Sequence, residues 1–104
     1  MKLSEAIIKG CEGTYQVRCK YADDAYGYCA IGAALRGVRV PQHLMGWAIF
    51  IKRFPVATRY VVNPVTGLRE CVGEVIASMN DKHKWPRLSI AEWLANVVEP
   101  EHGV

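Results

Sequence analysis

The tightest constraint in this sequence is the spacing of apolar residues between positions 68 and 79. Leu68, Cys71, Val72, Val75, Ile76 and Met79 recur at the period of about 3.6 residues that marks one face of a helix. The spacing predicts an amphipathic helix over 68–79, broken by Asn80-Asp81. A second broad face follows at Ile90, Ala91, Trp93, Leu94, Val97 and Val98. Ser89 and Glu92 have the spacing of a capping box, with Leu88 and Trp93 placed as a staple. Alternatively, Pro86 already lies in the first turn and the helix starts earlier. Pro100 stops it, and residues 101–104 are expected to fray.

Upstream, Ser4 reads as the cap of a helix with Leu3, Ile7, Ile8 and Cys11 on its stripe, ended by Gly10 and Gly13. Residues 15–21 alternate apolar and polar, as a half-buried strand does, and Asp23-Asp24 and Gly27 form the loop after it. Cys29 to Leu35 is dominated by small residues, which suits a helix that approaches a neighbour closely, with Gly37 as its stop. Pro41 opens the next helix, and Leu44, Trp47, Ala48 and Ile51 form its stripe. Lys52 and Arg53 lie in its last turn, where cations favour the helix dipole. Val56 to Val62 is rich in β-branched residues and reads as a strand, followed by the turn Asn63-Pro64-Val65-Thr66-Gly67. The expectation is a mainly α domain, with α+β as the alternative. Four or five short helices carry a ribbon in which 15–21 pairs with 56–62.

At 104 residues the chain has room for one small domain, so 1–104 is read as a single compact unit. Thirteen Lys and Arg against ten Asp and Glu give a net charge of +3, modest for a grip on a nucleic-acid backbone. No apolar run reaches the roughly 20 residues that span a bilayer. Glu5 and Lys9 interrupt any signal-peptide core near Met1. No membrane association and a cytoplasmic location are therefore expected. Cys11, Cys19, Cys29 and Cys71 include no C-x-x-C pair and read as free, mostly buried thiols.

Residues 75–94, Val-Ile-Ala-Ser-Met-Asn-Asp-Lys-His-Lys-Trp-Pro-Arg-Leu-Ser-Ile-Ala-Glu-Trp-Leu, carry a resemblance. They are similar to the C-terminal motif of a small uncharacterised protein family of tailed phages and prophages. That motif is an apolar helix, His-Leu-Asn-Asp, a spaced His and Trp, then Ile-Ala-x-Trp-Leu. Lys2 to Ile7 resembles the family's opening, and Cys29-Ala-Ile-Gly-Ala-Ala its Cys-Ala-Leu-Gly-Ala segment. The resemblance implies a mobile-element origin and a life in the cytoplasm of an infected cell. Many members carry a C-x-x-C and the first His of the motif, which together with the spaced His would make a zinc site. Here Ser78 stands where that His would be, and of the four positions His83 alone matches. No metal and no cofactor are expected.

For catalysis, Cys29 near a helix start is the nucleophile to weigh. His43 or His83 would be its base, oriented by Asn80 or Asp81. No local signature brings these residues together, so no enzyme is expected. Asn80, Asp81 and Trp93 read as structural, with Asn and Asp bonding backbone at a helix end. Lys82, His83, Lys84, Trp85 and Arg87 form the candidate partner-binding segment. The same Lys82/Lys84/Arg87 cluster would serve a nucleic-acid-binding regulator, though the connector is longer than the turn of about 3–4 residues in helix-turn-helix. Three Trp and five Tyr in so small a chain favour aromatic contact anchors. The leading expectation is a non-enzymatic phage or prophage accessory protein that binds a host or phage protein. A homodimer is compatible with it. A nucleic-acid regulator and a small metal- or thiol-dependent module are the alternatives.

Overall fold

A computed structural model describes residues 1–100; the tail expected to fray, 101–104, lies outside them. Small residues place the first two long elements. Helix α1 (Leu3–Cys11) and helix α2 (Ala30–Gly37) run antiparallel. A Cβ on Gly10 would lie 1.7 Å from the Ala33 carbonyl oxygen, and one on Gly37 would lie 2.1 Å from that of Ala6. The two glycines therefore set the helix separation at both ends of the contact. Gly10 is inside α1 and not its terminator; Gly13, at φ +69°, makes the turn.

The chain is mainly helical with minor β structure. Between α1 and α2, β1 (Tyr15–Gln16) pairs in parallel with β2 (Gly27–Tyr28). After α2 come a 3₁₀ turn (Gln42–Leu44), α3 (Trp47–Arg53) and a second 3₁₀ turn (Pro55–Thr58). Strands β3 (Tyr60–Val62) and β4 (Arg69–Cys71) form an antiparallel hairpin, and α4 (Val72–Asp81) and α5 (Arg87–Trp93) follow. A π-helical turn, Leu94–Val98, extends α5. One hydrophobic cluster joins these elements. It holds Leu3 and Ile7 of α1, Ala34 and Leu35 of α2, Phe50 and Phe54 from the α3 side, Val72, Val75, Ile76 and Met79 of α4, and Ile90 and Leu94 from α5 and its extension. No helix among the described residues is long and apolar enough to cross a membrane.

Several sequence expectations are corrected. The ribbon of 15–21 with 56–62 does not form; each strand is shorter and takes a partner close in sequence. The first strand ends at Gln16 because the chain bends at Arg18–Tyr21, with Cys19 in the left-handed region at φ 62°. The 56–62 segment spends its first half in the 3₁₀ turn after Pro55. The expected helix over 68–79 starts at Val72, since Arg69–Cys71 is strand and Leu68 is exposed. It then continues through Asn80 and Asp81. The helix from Pro41 is split at Met45-Gly46, which rotates its buried face. Phe50 is buried, whereas Leu44 and Trp47 are exposed. Ile8 is also exposed, and Ala6, Ser4 and Gly10 take the inner face of α1. The Ser89 capping box is absent, and α5 begins at Arg87 after Pro86, the earlier start.

Candidate functional site

Asn80 explains why α4 outlasts its expected end. Its side chain, 1% exposed, reaches away from its own backbone. Oδ1 accepts from Gln16 Nε2 at 2.8 Å and from the Ala30 amide at 3.0 Å. Nδ2 donates to the Val17 carbonyl and to Asp81 Oδ1, both at 2.9 Å. All four hydrogen-bonding positions of the amide are thus filled. The Ala30 amide is one of the orphan donors at the start of α2, so Asn80 ties α4 to α2 and to the segment after β1. Asp81 Oδ1 also accepts from the Cys19 amide at 2.8 Å, which holds the left-handed bend in place. Gln16 Nε2 closes the network on the Trp85 carbonyl at 2.8 Å.

Arg87 is the second hub. At 8% exposed, its guanidinium donates to Thr14 Oγ1 and the Thr14 carbonyl, each at 2.9 Å, and to the Tyr28 carbonyl at 3.2 Å. The fork bridges β2 and the turn before β1 to α5, using a donor geometry that Lys lacks. Arg87 is therefore separated from Lys82 and Lys84, which are exposed. The basic cluster drawn from sequence is not one surface. His83 is half-buried, and its Nε2 is buried without a hydrogen-bond partner. Lys84 turns the chain at φ 57°, and the Trp85 amide donates to the Met79 carbonyl at 2.9 Å. Trp85 is half-buried against the core and Trp93 lies within it.

Glu99, close to the end of the described residues, returns to the start of α1. The Glu99 carboxylate accepts from the Leu3 amide at 2.9 Å and the Ser4 amide at 3.1 Å. A negative charge on these orphan donors complements the helix dipole. Glu99 serves the start of α1 together with Glu5, whose Oε1 accepts from the Lys2 amide at 2.8 Å, and Ser4 is buried within the helix.

A cleft of about 230 Å³ opens between the bend and α4, lined by Cys19, Tyr21, Cys29, Trp47, Ile76 and Asp81 among others. Cys29 is the N-cap of α2, and its Sγ accepts from the Gly32 amide at 3.3 Å. Burial pushes its thiol up, the Gly32 and Ile31 amides oppose that, and Asp81 adds to the rise. Burial also pushes Cys11 up, with Arg87 acting the other way. A thiol held protonated is a poor nucleophile. The cleft lining contains neither His43 nor His83; His43 lies with Cys19 along a neighbouring open groove. Among the described residues no group of three or more His, Cys, Asp or Glu could hold a metal ion.

The most apolar exposed segment is one that sequence reasoning did not single out. Tyr60, Val62, Val65 and Leu68 are 62%, 58%, 43% and 63% exposed, all within the β3–β4 hairpin. Val61 packs inward against the core, so the strand's period of two turns Tyr60 and Val62 out. Asn63 shapes the hairpin. Its Oδ1 accepts from the Val65 amide at 2.9 Å and the Thr66 amide at 3.3 Å, and its Nδ2 donates to Glu70 Oε2 at 3.0 Å. The available signal was the turn Asn63–Gly67 itself, which asks for a second strand directly after it. No protein-family model, curated protein or solved structure matches this chain.

Proposed function

We propose that this chain is a non-enzymatic accessory protein of phage or prophage type that acts through a protein–protein interface on the β3–β4 hairpin. The observation that carries the reading is the concentration of exposed Tyr60, Val62, Val65 and Leu68 in one small hairpin. Exposed apolar side chains gathered in one element are candidates for a contact site, and Tyr is a favoured anchor. The polar residues of the 80–87 segment support it from the other side. Asn80, Asp81 and Arg87 are committed to internal hydrogen bonds, leaving Lys82 and Lys84 as the segment's exposed cations. The resemblance of residues 75–94 to a phage and prophage family supplies the cellular setting and a host or phage protein as the partner.

The test compares wild type with Tyr60→Ser/Leu68→Ser and with Lys82→Glu/Lys84→Glu. A protein captured by wild type from a host lysate is identified, purified and titrated against all three. The hairpin double variant is expected to weaken binding about tenfold or more, equivalent to about 1.4 kcal/mol. The lysine variant is expected to change it about twofold or less, as rim charges do. A steep salt-dependent affinity for mixed-sequence DNA or RNA, lost in the lysine variant, would overturn the reading in favour of nucleic-acid binding.

A further inference from the structure

Residues 25–69 carry six of the chain's thirteen Lys and Arg and none of its ten Asp and Glu. The six, Arg36, Arg39, Lys52, Arg53, Arg59 and Arg69, are all exposed. Four of them gather where α2 and α3 end. Arg36 lies in the last turn of α2, Arg39 two residues past that helix, and Lys52 and Arg53 in the last turn of α3. Arg53 Nη2 donates to the Val38 carbonyl at 3.4 Å, which sets the end of α3 beside the end of α2. Arg36 rests its guanidinium over the Tyr28 ring, 5.6 Å from the centroid, a contact that orients the fork and leaves its N–H donors unspent. Arg59 and Arg87, by contrast, are spent on the carbonyls of Val98, Thr14 and Tyr28.

Ending a helix does not account for these cations. The Arg39 amide donates to the Arg36 carbonyl and the Val40 amide to the Leu35 carbonyl, each at 2.9 Å, so the main chain itself closes the last turn of α2. That closure puts Arg39 in the left-handed region at φ 63°, a position where glycine is the usual residue. This end of α2 meets α1 at Ala6. The carboxylates at the start of α1 are held on main-chain amides, Glu5 on that of Lys2 and Glu99 on those of Leu3 and Ser4. We infer that Arg36, Arg39, Lys52 and Arg53 form a binding site for the phosphate backbone of a nucleic acid. Guanidinium forks match pairs of phosphate oxygens. A stretch with cations and no carboxylates has the charge character of protein–DNA interfaces, which are far more positive than protein–protein ones. A patch acts through its local charge, so the net charge of +3 does not oppose it. Contacts to the backbone carry no sequence preference. None of the hairpin's apolar residues takes part.

Fluorescence anisotropy of a labelled mixed-sequence DNA duplex, titrated with the full chain at rising salt, tests the site. Wild type is expected to bind at low salt, with an affinity that falls on a log–log plot with a slope of about −3 to −4, one phosphate for each cation. Arg39→Gly suits the left-handed backbone better than arginine does, so it is expected to keep or raise the thermal midpoint. The same variant is expected to weaken binding about threefold or more and to flatten the slope by about one. Arg36→Gln/Arg53→Gln leaves the Arg39 turn intact and is expected to flatten the slope by about two. Lys82→Gln/Lys84→Gln is expected to leave the slope unchanged. A wild-type chain that binds no DNA at the lowest salt overturns the inference, as does a slope that both arginine variants leave as it was. Unlabelled poly-glutamate that displaces the labelled duplex as well as unlabelled duplex does overturns the nucleic-acid assignment in favour of an acidic protein segment.

Discussion

Asn80 and Arg87 are two buried polar side chains, Asn80 with all four of its hydrogen-bonding positions filled and Arg87 with three hydrogen bonds to Thr14 and Tyr28. Removing one partner of a buried hydrogen bond costs about 1–3 kcal/mol for each group left dry. Asn80→Ala would strand the Ala30 amide and the Val17 carbonyl together. We expect a loss of about 3 kcal/mol or more in urea unfolding, against a near-neutral Lys82→Ala at an exposed site. For Arg87→Lys, the retained charge should not rescue stability, because a single ammonium cannot span Thr14 and Tyr28 as the fork does. The sequence suggests that Asn80 and Asp81 end a helix and bond their own backbone, whereas α4 runs through both and the Asn80 side chain bonds Gln16, Val17 and Ala30 instead. Arg87 could not be identified from the sequence, since nothing local distinguishes a buried arginine from a solvated one. Cys29 adds a pH dependence. Its folded-state thiol is pushed up, so its contribution is fully present below the unfolded value of about 8.5 and is lost as pH rises through the folded value. Cys29→Ser keeps an N-cap acceptor and should flatten the alkaline side of a stability–pH curve from about pH 8 upward.

At the scale of elements, the helices were legible and their limits were not. The apolar period at 68–79 is real, but Leu68 and Cys71 satisfy it by coincidence. The Asn63–Gly67 turn pairs Arg69–Cys71 with Tyr60–Val62, and a strand that completes a hairpin overrides helical propensity. The α3 stripe was out of phase because the backbone breaks at Gly46, and a break resets the helical angle of every residue after it. The small-residue segment 29–35 was read as a close-packing helix, and the α1–α2 contact supports that physical reason. There is no slack in that contact. Gly10→Ala would drive a methyl group into the Ala33 carbonyl, forcing the helices apart, and we expect a fall of several degrees or more in the thermal midpoint at a cost of about 1–3 kcal/mol for overpacking. Glu99→Gln is a milder change. It removes one of the two carboxylates at the α1 start, leaving Glu5, while keeping an acceptor, for about 0.3–1 kcal/mol, and high salt should narrow the difference from wild type.

On the scale of the whole molecule, the domain divides its polar residues by task. Asn80, Asp81, Gln16 and Arg87 bind the segment from β1 to α2 against α4 and α5, while the hairpin projects with its edge unpaired. The mainly helical architecture was legible because periodicity survives without tertiary context. The exposed edge was not, because a strand's open side depends on which neighbour it lacks. Amide hydrogen exchange of the intact protein, followed residue by residue, tests this division most directly. In dilute solution, the amides of Val61 and Asn63 should be protected and those of Tyr60 and Val62 should exchange fast. If Tyr60 and Val62 are as protected as Val61 and Asn63, the open edge is wrong.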